Sequence, residues 1–368
     1  MKLLIIQPWF SAIGHPAQSL LNMASAFGKN DRVDYLVSCS KESAFCSVAM
    51  ERLKTWGEVT SFAVTTPTGA SNTVRALLAL CRMRRRNYRR IFFFDESLFA
   101  IALLWPFFSL WLPVERISVL HLFGPKLSRR NWLERRVVGQ FLRRSEVRLY
   151  LRTEELAQAW RDKYSSADGG VIRWLPSLEI PDEKPRQYRR DSAGTLSFGI
   201  IGQIRSGKGI EWLVPAFRND TAPGRLTIAG EFANPQSREQ LAVLLGYEGF
   251  INGFLSEEEL LERAAAQDYL LMLYDVWDRR MESAVLYLAA RVNRPVVVYG
   301  DSWCGRMIRE FGCGAVAPVD HDETLGLLRR LPRPGSPEYA GLLNGMEAFR
   351  RAHSVSSLRG KVMQELLG

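Results

Sequence analysis

The stretch Phe198-Gly199-Ile200-Ile201-Gly202-Gln203-Ile204-Arg205-Ser206-Gly207-Lys208-Gly209-Ile210-Glu211 places two cations and three glycines between an apolar run and the start of a helical pattern near Gly209. Backbone N–H groups at a helix N-terminus, with an arginine and a lysine beside them, suit a diphosphate, because such a group needs donors and charge neutralisation together. The segment is not a Walker loop, since GxxxxGK[ST] requires Ser or Thr where Gly209 stands. An ordinary glycine-rich turn with exposed cations is the alternative reading. Other polar groups follow strand-like runs: His121 ends Val119-Leu120-His121, and Asp95 and Glu96 follow Ile91-Phe92-Phe93-Phe94. Side chains at the carboxyl ends of buried strands suit acid–base work, although a lone strand-end histidine also serves structural roles and a surface turn accounts equally well for the two acids.

No acidic DxD-type cluster lies in a suitable loop, so no metal is expected. The five cysteines (Cys39, Cys46, Cys81, Cys304, Cys313) are odd in number and lack CxxC spacing, which suggests neither a disulfide framework nor a zinc site and fits a reducing cytosol. Met1 to Pro8 holds an apolar run too short for a signal-peptide core and reads as a buried first strand.

Charge is distributed unevenly. Residues 1–184 hold 27 Lys/Arg against 17 Asp/Glu, whereas residues 185–368 hold 22 against 22, so the whole +10 excess lies in the first half. An acidic partner for one domain follows. Arg82–Arg90 and Ser128–Arg144 carry this charge, and in the second segment Trp132/Leu133, Val137/Val138 and Phe141/Leu142 recur at helical spacing with arginines opposite. Between the two lies Phe99–Pro113, 15 apolar residues interrupted by Pro106. A spanning helix needs about 20 apolar residues, so this segment reads as a core helix or a partly interfacial one. The basic helix reads either as a packed surface helix with a solvated face or as a membrane-surface element. Nucleic acid is the rival acidic partner, but no nucleic-acid motif accompanies the arginines, and none is expected to bind.

The elements that must position these groups alternate. Lys2–Gln7, Val33–Val37, Arg90–Phe94, Ile117–His121, Val147–Leu151 and Val171–Leu175 read as strands with helical segments between most of them. Polar, proline-containing residues 181–194 form a linker, after which Leu196–Ile201, Arg225–Ala229, Gly249–Ile251, Tyr269–Tyr274, Pro295–Tyr299 and Ala315–Pro318 restart the alternation. With 368 residues, 47% of them hydrophobic, the expected fold is α/β with two doubly wound, Rossmann-like domains: residues 1–180, basic and open to an acidic partner, and residues 195–350. Residues 351–368 form a C-terminal helix expected to pack back on the first domain. Two such domains whose strand-end crevices face each other make an interdomain cleft suited to two substrates.

At this point the chain resembles a family. Gly202-x-Ile204-Arg205-x-x-Lys208-Gly209 resembles the G-x-[IL]-R-x-x-K-G turn that opens the nucleotide-sugar domain of GT-B glycosyltransferases, family 4-like, a group that includes bacterial exopolysaccharide and lipopolysaccharide enzymes. Leu226–Gly230, Gly253–Leu260 ("G-x-[LV]-[ST]-x-x-[ED]-L"), Asp268–Tyr274, Glu282–Ala290, Arg294–Val298 and Gly312-Cys313-Gly314 follow in the family's order, covering most of residues 196–318. The resemblance implies that Arg205 and Lys208 hold the donor diphosphate beside Gly202. It also implies that the helix starting near Glu282 and Ser283 points its N-terminus at the donor, with Glu282 available to ribose or sugar hydroxyls. Ser11–Ala24 resembles the family's first glycine-rich loop, keeping Gly14 of the usual pair, with His15 in the second position. Val119-Leu120-His121 resembles the place where many members put a histidine near the donor sugar.

Retaining members show a Glu-x7-Glu pair, where this chain has Arg280 and Leu288. Inversion and retention therefore both stay open, with His121, Asp95, Glu96 and His15 as candidate catalytic groups. The implied function is transfer of a sugar from a nucleoside diphosphate sugar, the only co-substrate and with no further cofactor, to a saccharide or polyprenyl-diphosphate-linked acceptor. The implied location is the cytoplasm, peripherally on the anionic inner membrane. Two rivals follow from the same residues. One is a non-catalytic nucleotide-sugar-binding or scaffold protein of this fold, which would bind without transfer. The other is a nucleic-acid-binding protein using the arginine-rich half, whose affinity would fall steeply with salt.

Overall fold

A computed structural model describes residues 2–10, 15–27, 31–39, 44–64, 70–83, 86, 88–94, 97–112, 114–124, 132–164, 171–182, 194–275 and 279–368. The chain divides into two compact units, Met1–Glu179 with Val355–Gly368, and Ile180–Ser354.

The first unit contains β1 (Leu3–Gln7), α1 (His15–Ser25), β2 (Val33–Cys39), α2 (Ala44–Leu53), β3 (Val59–Ala63), α3 (Ala70–Arg82), β4 (Arg90–Phe93) and α4 (Leu98–Ser109). It continues with β5 (Arg116–His121), α5 (Trp132–Leu142), β6 (Val147–Leu151), α6 (Glu154–Lys163) and β7 (Ile172–Trp174), and takes in α14 (Val355–Leu367) from the chain's end. All pairings are parallel, in the order β3-β2-β1-β4-β5-β6-β7. Leu3 to Gln7 are buried without alternation, as a parallel strand covered on both faces requires. The sequence patterns miss β3. Val59-Thr60-Ser61-Phe62-Ala63 is an edge strand with only Phe62 buried, so it lacks the apolar run that marks its neighbours. The segment Phe99–Pro113 becomes α4, which continues through Pro106. Val355, Val362 and Leu366 of α14 enter the first unit's core beside Phe92 and Tyr150, and the Tyr150 hydroxyl donates to the Glu365 carbonyl at 3.0 Å.

The second unit runs β8 (Ser197–Ile201), α7 (Ile210–Arg218), β9 (Arg225–Gly230), α8 (Pro235–Gln240), β10 (Phe250–Asn252), α9 (Glu257–Ala265), β11 (Tyr269–Met272) and α10 (Ala284–Val292). After these come β12 (Val296–Tyr299), α11 (Trp303–Phe311), β13 (Gly314–Ala317), α12 (His321–Arg330) and α13 (Pro337–Ala352). Its parallel sheet has the order β10-β9-β8-β11-β12-β13. The order reverses between β8 and β11, and the carboxyl ends of strands at such a switch point are where open α/β sheets bind ligands. Ile180 packs into this unit's core and bridges Ser354, so the second unit begins at Ile180, just ahead of the polar segment 181–194. Residues 183–193 of that segment lie outside the described residues. Among the described residues no helix is long and apolar enough to cross a membrane.

Candidate functional site

The turn after β8 is fixed on both sides. Gly202 N–H donates to the Ala229 carbonyl at 2.9 Å and Ile204 N–H to the Glu231 carbonyl at 2.8 Å, tying the turn to the end of β9. On the other side, Asp275 N–H donates to the Gly207 carbonyl at 2.9 Å and ties it to the loop after β11. Two glycines are required sterically. Gly209 (φ +75°) is the N-cap of α7, and a Cβ there would lie 2.9 Å from the Leu273 carbonyl oxygen. Gly230 (φ +151°) packs so tightly that a Cβ would lie 1.9 Å from the Gly202 oxygen. No side chain caps the N-terminus of α7. Glu211 instead braces the loop, accepting from Ser206 Oγ at 2.7 Å and Gly207 N–H at 3.0 Å.

Lys208 is turned inward. Only 7% of it is exposed, its Nζ donates to the Gln203 carbonyl at 2.6 Å, and the ammonium lies 5.7 Å from the centre of the Tyr274 ring. Burial, with the neighbouring Arg205 charge acting in the same direction, pushes its pKa down to about 7. Arg205 is itself partly buried, and burial lowers its pKa too. A buried ammonium disfavoured by a partly buried guanidinium beside it is the arrangement an anion would relieve.

Tyr274 joins this turn to the start of α10. Its hydroxyl lies 3.4 Å from Ser283 Oγ, and burial pushes its pKa up to about 12. Ser283 is the N-cap of α10, its Oγ accepting from Val285 N–H at 3.3 Å. The Glu282 carboxylate is held by the Tyr287 hydroxyl at 2.7 Å. The same carboxylate adds to the effect of burial on Cys304, whose thiol is pushed up to about 12. A cleft of about 120 Å³ opens beside these groups at the ends of β11, β12 and β13, lined among others by Tyr274, Asp275, Met281, Tyr299, Asp301 and Cys304. The five second-unit residues singled out in the sequence thus fall into two groups. Gly202, Arg205 and Lys208 lie on one loop, Glu282 and Ser283 lie at one helix start, and Tyr274 lies between them.

Gly253–Leu260 has a structural role. Ser256 Oγ accepts from Glu259 N–H at 3.2 Å while the Glu259 carboxylate accepts from Ser256 N–H at 2.7 Å, a capping box that starts α9.

No protein-family profile matches the chain, and no curated protein sequence matches it. Solved structures do. The chain is similar to Anabaena Alr3699/HepE in complex with UDP-glucose, at 13% identity over 100% of this chain and 99% of that one, with a TM-score of 0.70. It is similar to WaaG, a glycosyltransferase involved in lipopolysaccharide biosynthesis, at 15% identity over 100% of both chains and a TM-score of 0.67. Sucrose-phosphate synthase from Thermosynechococcus elongatus gives 12% identity over 100% and 99% of the chains and a TM-score of 0.66.

The chain has the GT-B fold.

Within this GT-B chain the first unit is the basic one. His121 ends β5, half-buried, its ring 5.5 Å from Trp160 and 6.1 Å from Phe123 in edge-on contacts. His15 is the first residue of α1, and its side chain lies outside the described residues, as do Gly14, Asp95 and Glu96. Sequence reasoning missed Arg152, which follows β6 at the same sheet edge. It is 5% exposed, donates to Ser177 Oγ at 2.9 Å, and lies over the Phe94 ring at 5.2 Å. An arginine directly after the apolar run of β6 and before the α6 cap Thr153 was the available signal. Tyr274 and Asp275 were also missed as site residues, because only the fold brings the end of β11 against the turn after β8. Among the described residues no group of three or more His, Cys, Asp or Glu could hold a metal ion.

Proposed function

We propose that this protein transfers a glycosyl group from a nucleoside diphosphate sugar, held by the second unit, to an acceptor held by the basic first unit. The acceptor in this reading is a lipid-linked saccharide of bacterial exopolysaccharide or lipopolysaccharide synthesis, reached from the cytoplasmic face of the membrane. The observation that carries it is the pair of buried Lys208 and partly buried Arg205 on a glycine turn at the switch point, beside a helix N-terminus with no side-chain cap. Similar structures solved with UDP and UDP-glucose support a nucleotide-sugar donor. In the reaction the bond from the anomeric carbon to the diphosphate breaks and a bond to the acceptor hydroxyl oxygen forms. Arg205 and Lys208 neutralise the leaving diphosphate, so the charge balance needs no metal ion or other cofactor. The hydroxyl proton passes to a base, for which His121, Asp95, Glu96 and His15 are the first-unit candidates.

The test is a binding titration against UDP-, GDP- and dTDP-sugars, repeated with Arg205→Ala and Lys208→Ala. One nucleotide class should bind saturably and weaken roughly tenfold or more in each variant, the loss expected of a charge-assisted contact. Failure of every nucleotide to bind would remove the donor site. Saturable binding without transfer to any acceptor would mark a binding protein of the same fold.

A pH dependence follows. Free Lys208 loses its proton near pH 7, whereas a bound diphosphate favours the charged form and raises its pKa. Below pH 7 the lysine is already charged and affinity is at its plateau. Above pH 7 binding must take up a proton, so affinity should fall by up to about tenfold per pH unit until the bound-state pKa is reached. Calorimetric titration in buffers of different ionisation enthalpy would report that uptake. A flat affinity from pH 6 to 9 would exclude it.

A further inference from the structure

Helix α4 is apolar on every side. Residues 97–112 carry no charged side chain, yet the helix buries only Leu98, Ile101, Ala102 and Trp105. At about 100° per residue, Leu103 and Phe107 fall on the opposite face, and they are 46% and 68% exposed. The turn that follows adds Leu110 at 82% and Trp111 at 64%. A helix apolar all round belongs in a core or in lipid, because water around large apolar side chains is costly. Helix α5 packs beside α4 in the same unit. Its first turn exposes Trp132 and Leu133, and Arg135 and Arg136 are exposed along it, with exposed Arg143 just past its end.

We propose that α4 and α5 form a face that docks this protein on an anionic lipid bilayer. Phe107, Leu110, Trp111 and Trp132 would sit at the boundary of headgroups and acyl chains, with the α5 arginines against lipid phosphates. Charge complementarity selects this occupant: the apolar strip lies beside exposed arginines in the half of the chain that holds the whole positive excess, the pairing that draws interfacial helices to anionic membranes. Length sets the depth. Twelve residues of α4 span about 18 Å, against about 30 Å of bilayer hydrocarbon, so the helix lies in the surface. Tryptophans at the rim match the interfacial preference of that ring.

This inference deepens the lipid-linked acceptor reading, and its test needs neither donor nor acceptor. The full chain is sedimented with vesicles of phosphatidylethanolamine and phosphatidylglycerol, and separately with phosphatidylcholine vesicles. Binding to the anionic vesicles should be roughly tenfold tighter or more. It should fall by about tenfold or more in Phe107→Ser/Trp111→Ser, and in Arg135→Glu/Arg136→Glu it should fall and lose most of its salt dependence. Leu110→Ser, beyond the helix end, gives the same reading if the double variant does not fold, and circular dichroism checks each.

Equal binding to both vesicle types, or variants that bind like the parent chain, would overturn the proposal. So would self-association abolished by the same substitutions without vesicle binding, which would make a second copy the occupant. Vesicle binding without sugar transfer would leave this face standing and refute the acceptor reading. Transfer to a detergent-solubilised lipid-linked acceptor without vesicle binding would do the reverse.

Discussion

Lys208→Met should raise the stability of the second unit while weakening the nucleoside diphosphate sugar binding proposed for it roughly tenfold or more. Lys208 is 7% exposed, and burial lowers its pKa from 10.5 to about 7. The unfolded chain therefore binds a proton between those values that the folded chain does not, and stability rises with pH across that window. Below about pH 7 the full cost of enclosing the charge is present, at most about 5 kcal/mol. Above pH 10.5 it is gone. Methionine keeps the length and apolar body of the side chain and removes the charge. Scanning calorimetry at pH 6 should show a gain of several degrees, at about 2–4 °C per kcal/mol for a unit of this size, and the gain should shrink towards pH 10. Nucleotide binding should be weakened and should no longer fall as pH rises above 7. Equal or lower stability at pH 6 would mean that the ammonium is well paired by the Gln203 carbonyl and Tyr274, and the assignment of Lys208 as a cation held ready for an anion would fall. A stability gain without loss of binding would move the diphosphate site elsewhere. The predicted trade is the usual one for binding sites, which retain locally unfavourable groups because the ligand needs them.

Gly230→Ala should be the most damaging single methyl group in the second unit. A Cβ at this position would lie 1.9 Å from the Gly202 oxygen and 2.7 Å from its carbonyl carbon, at a φ of +151° that side chains rarely adopt. Backbone cannot step aside as a side-chain tip can, so β9 and the turn after β8 must separate. The expected cost is about 2–4 kcal/mol from conformational strain and overpacking together. Separation also moves Arg205 and Lys208, which the Gly202 and Ile204 hydrogen bonds to Ala229 and Glu231 hold in place, so nucleotide affinity should drop by roughly tenfold or more. Gly246→Ala is the control. Its φ is +67°, and nothing lies within 4 Å of the added carbon, so it should cost about 1 kcal/mol of strain and leave binding unchanged. Thermal unfolding and nucleotide titration of the pair decide the matter. Equal effects of the two substitutions would show that the packing of Gly230 on Gly202 does not position the site.

Much of this was open to reading because parallel strands covered on both faces must be apolar throughout. Leu3–Ile6, Ile91–Phe94, Tyr269–Met272 and Val296–Tyr299 announce themselves as unbroken runs, and the alternation of such strands with helical segments dictates two doubly wound sheets. The glycine turn at 202–209 was legible for a related reason, since residues that need positive φ leave little choice of amino acid and the cations stand out beside them. Edge strand β3 escaped because one buried side chain, Phe62, is no pattern.

Local periodicity, local conformation and simple counting suffice for the two-domain α/β architecture, the glycine turn after β8 and the uneven charge. Tertiary structure alone decided that Tyr274 lies between the Lys208 turn and the Ser283 cap, and that Arg152 is buried over Phe94. It alone fixed which side chains of α14, an expected partner of the first domain, enter the core there, and left the outer face of α4 bare. One cause is common to all four: apolarity and charge are properties of residues, whereas burial and proximity are properties of pairs distant in the chain, such as Phe94 with Arg152 or Tyr150 with Glu365, and only packing selects those pairs.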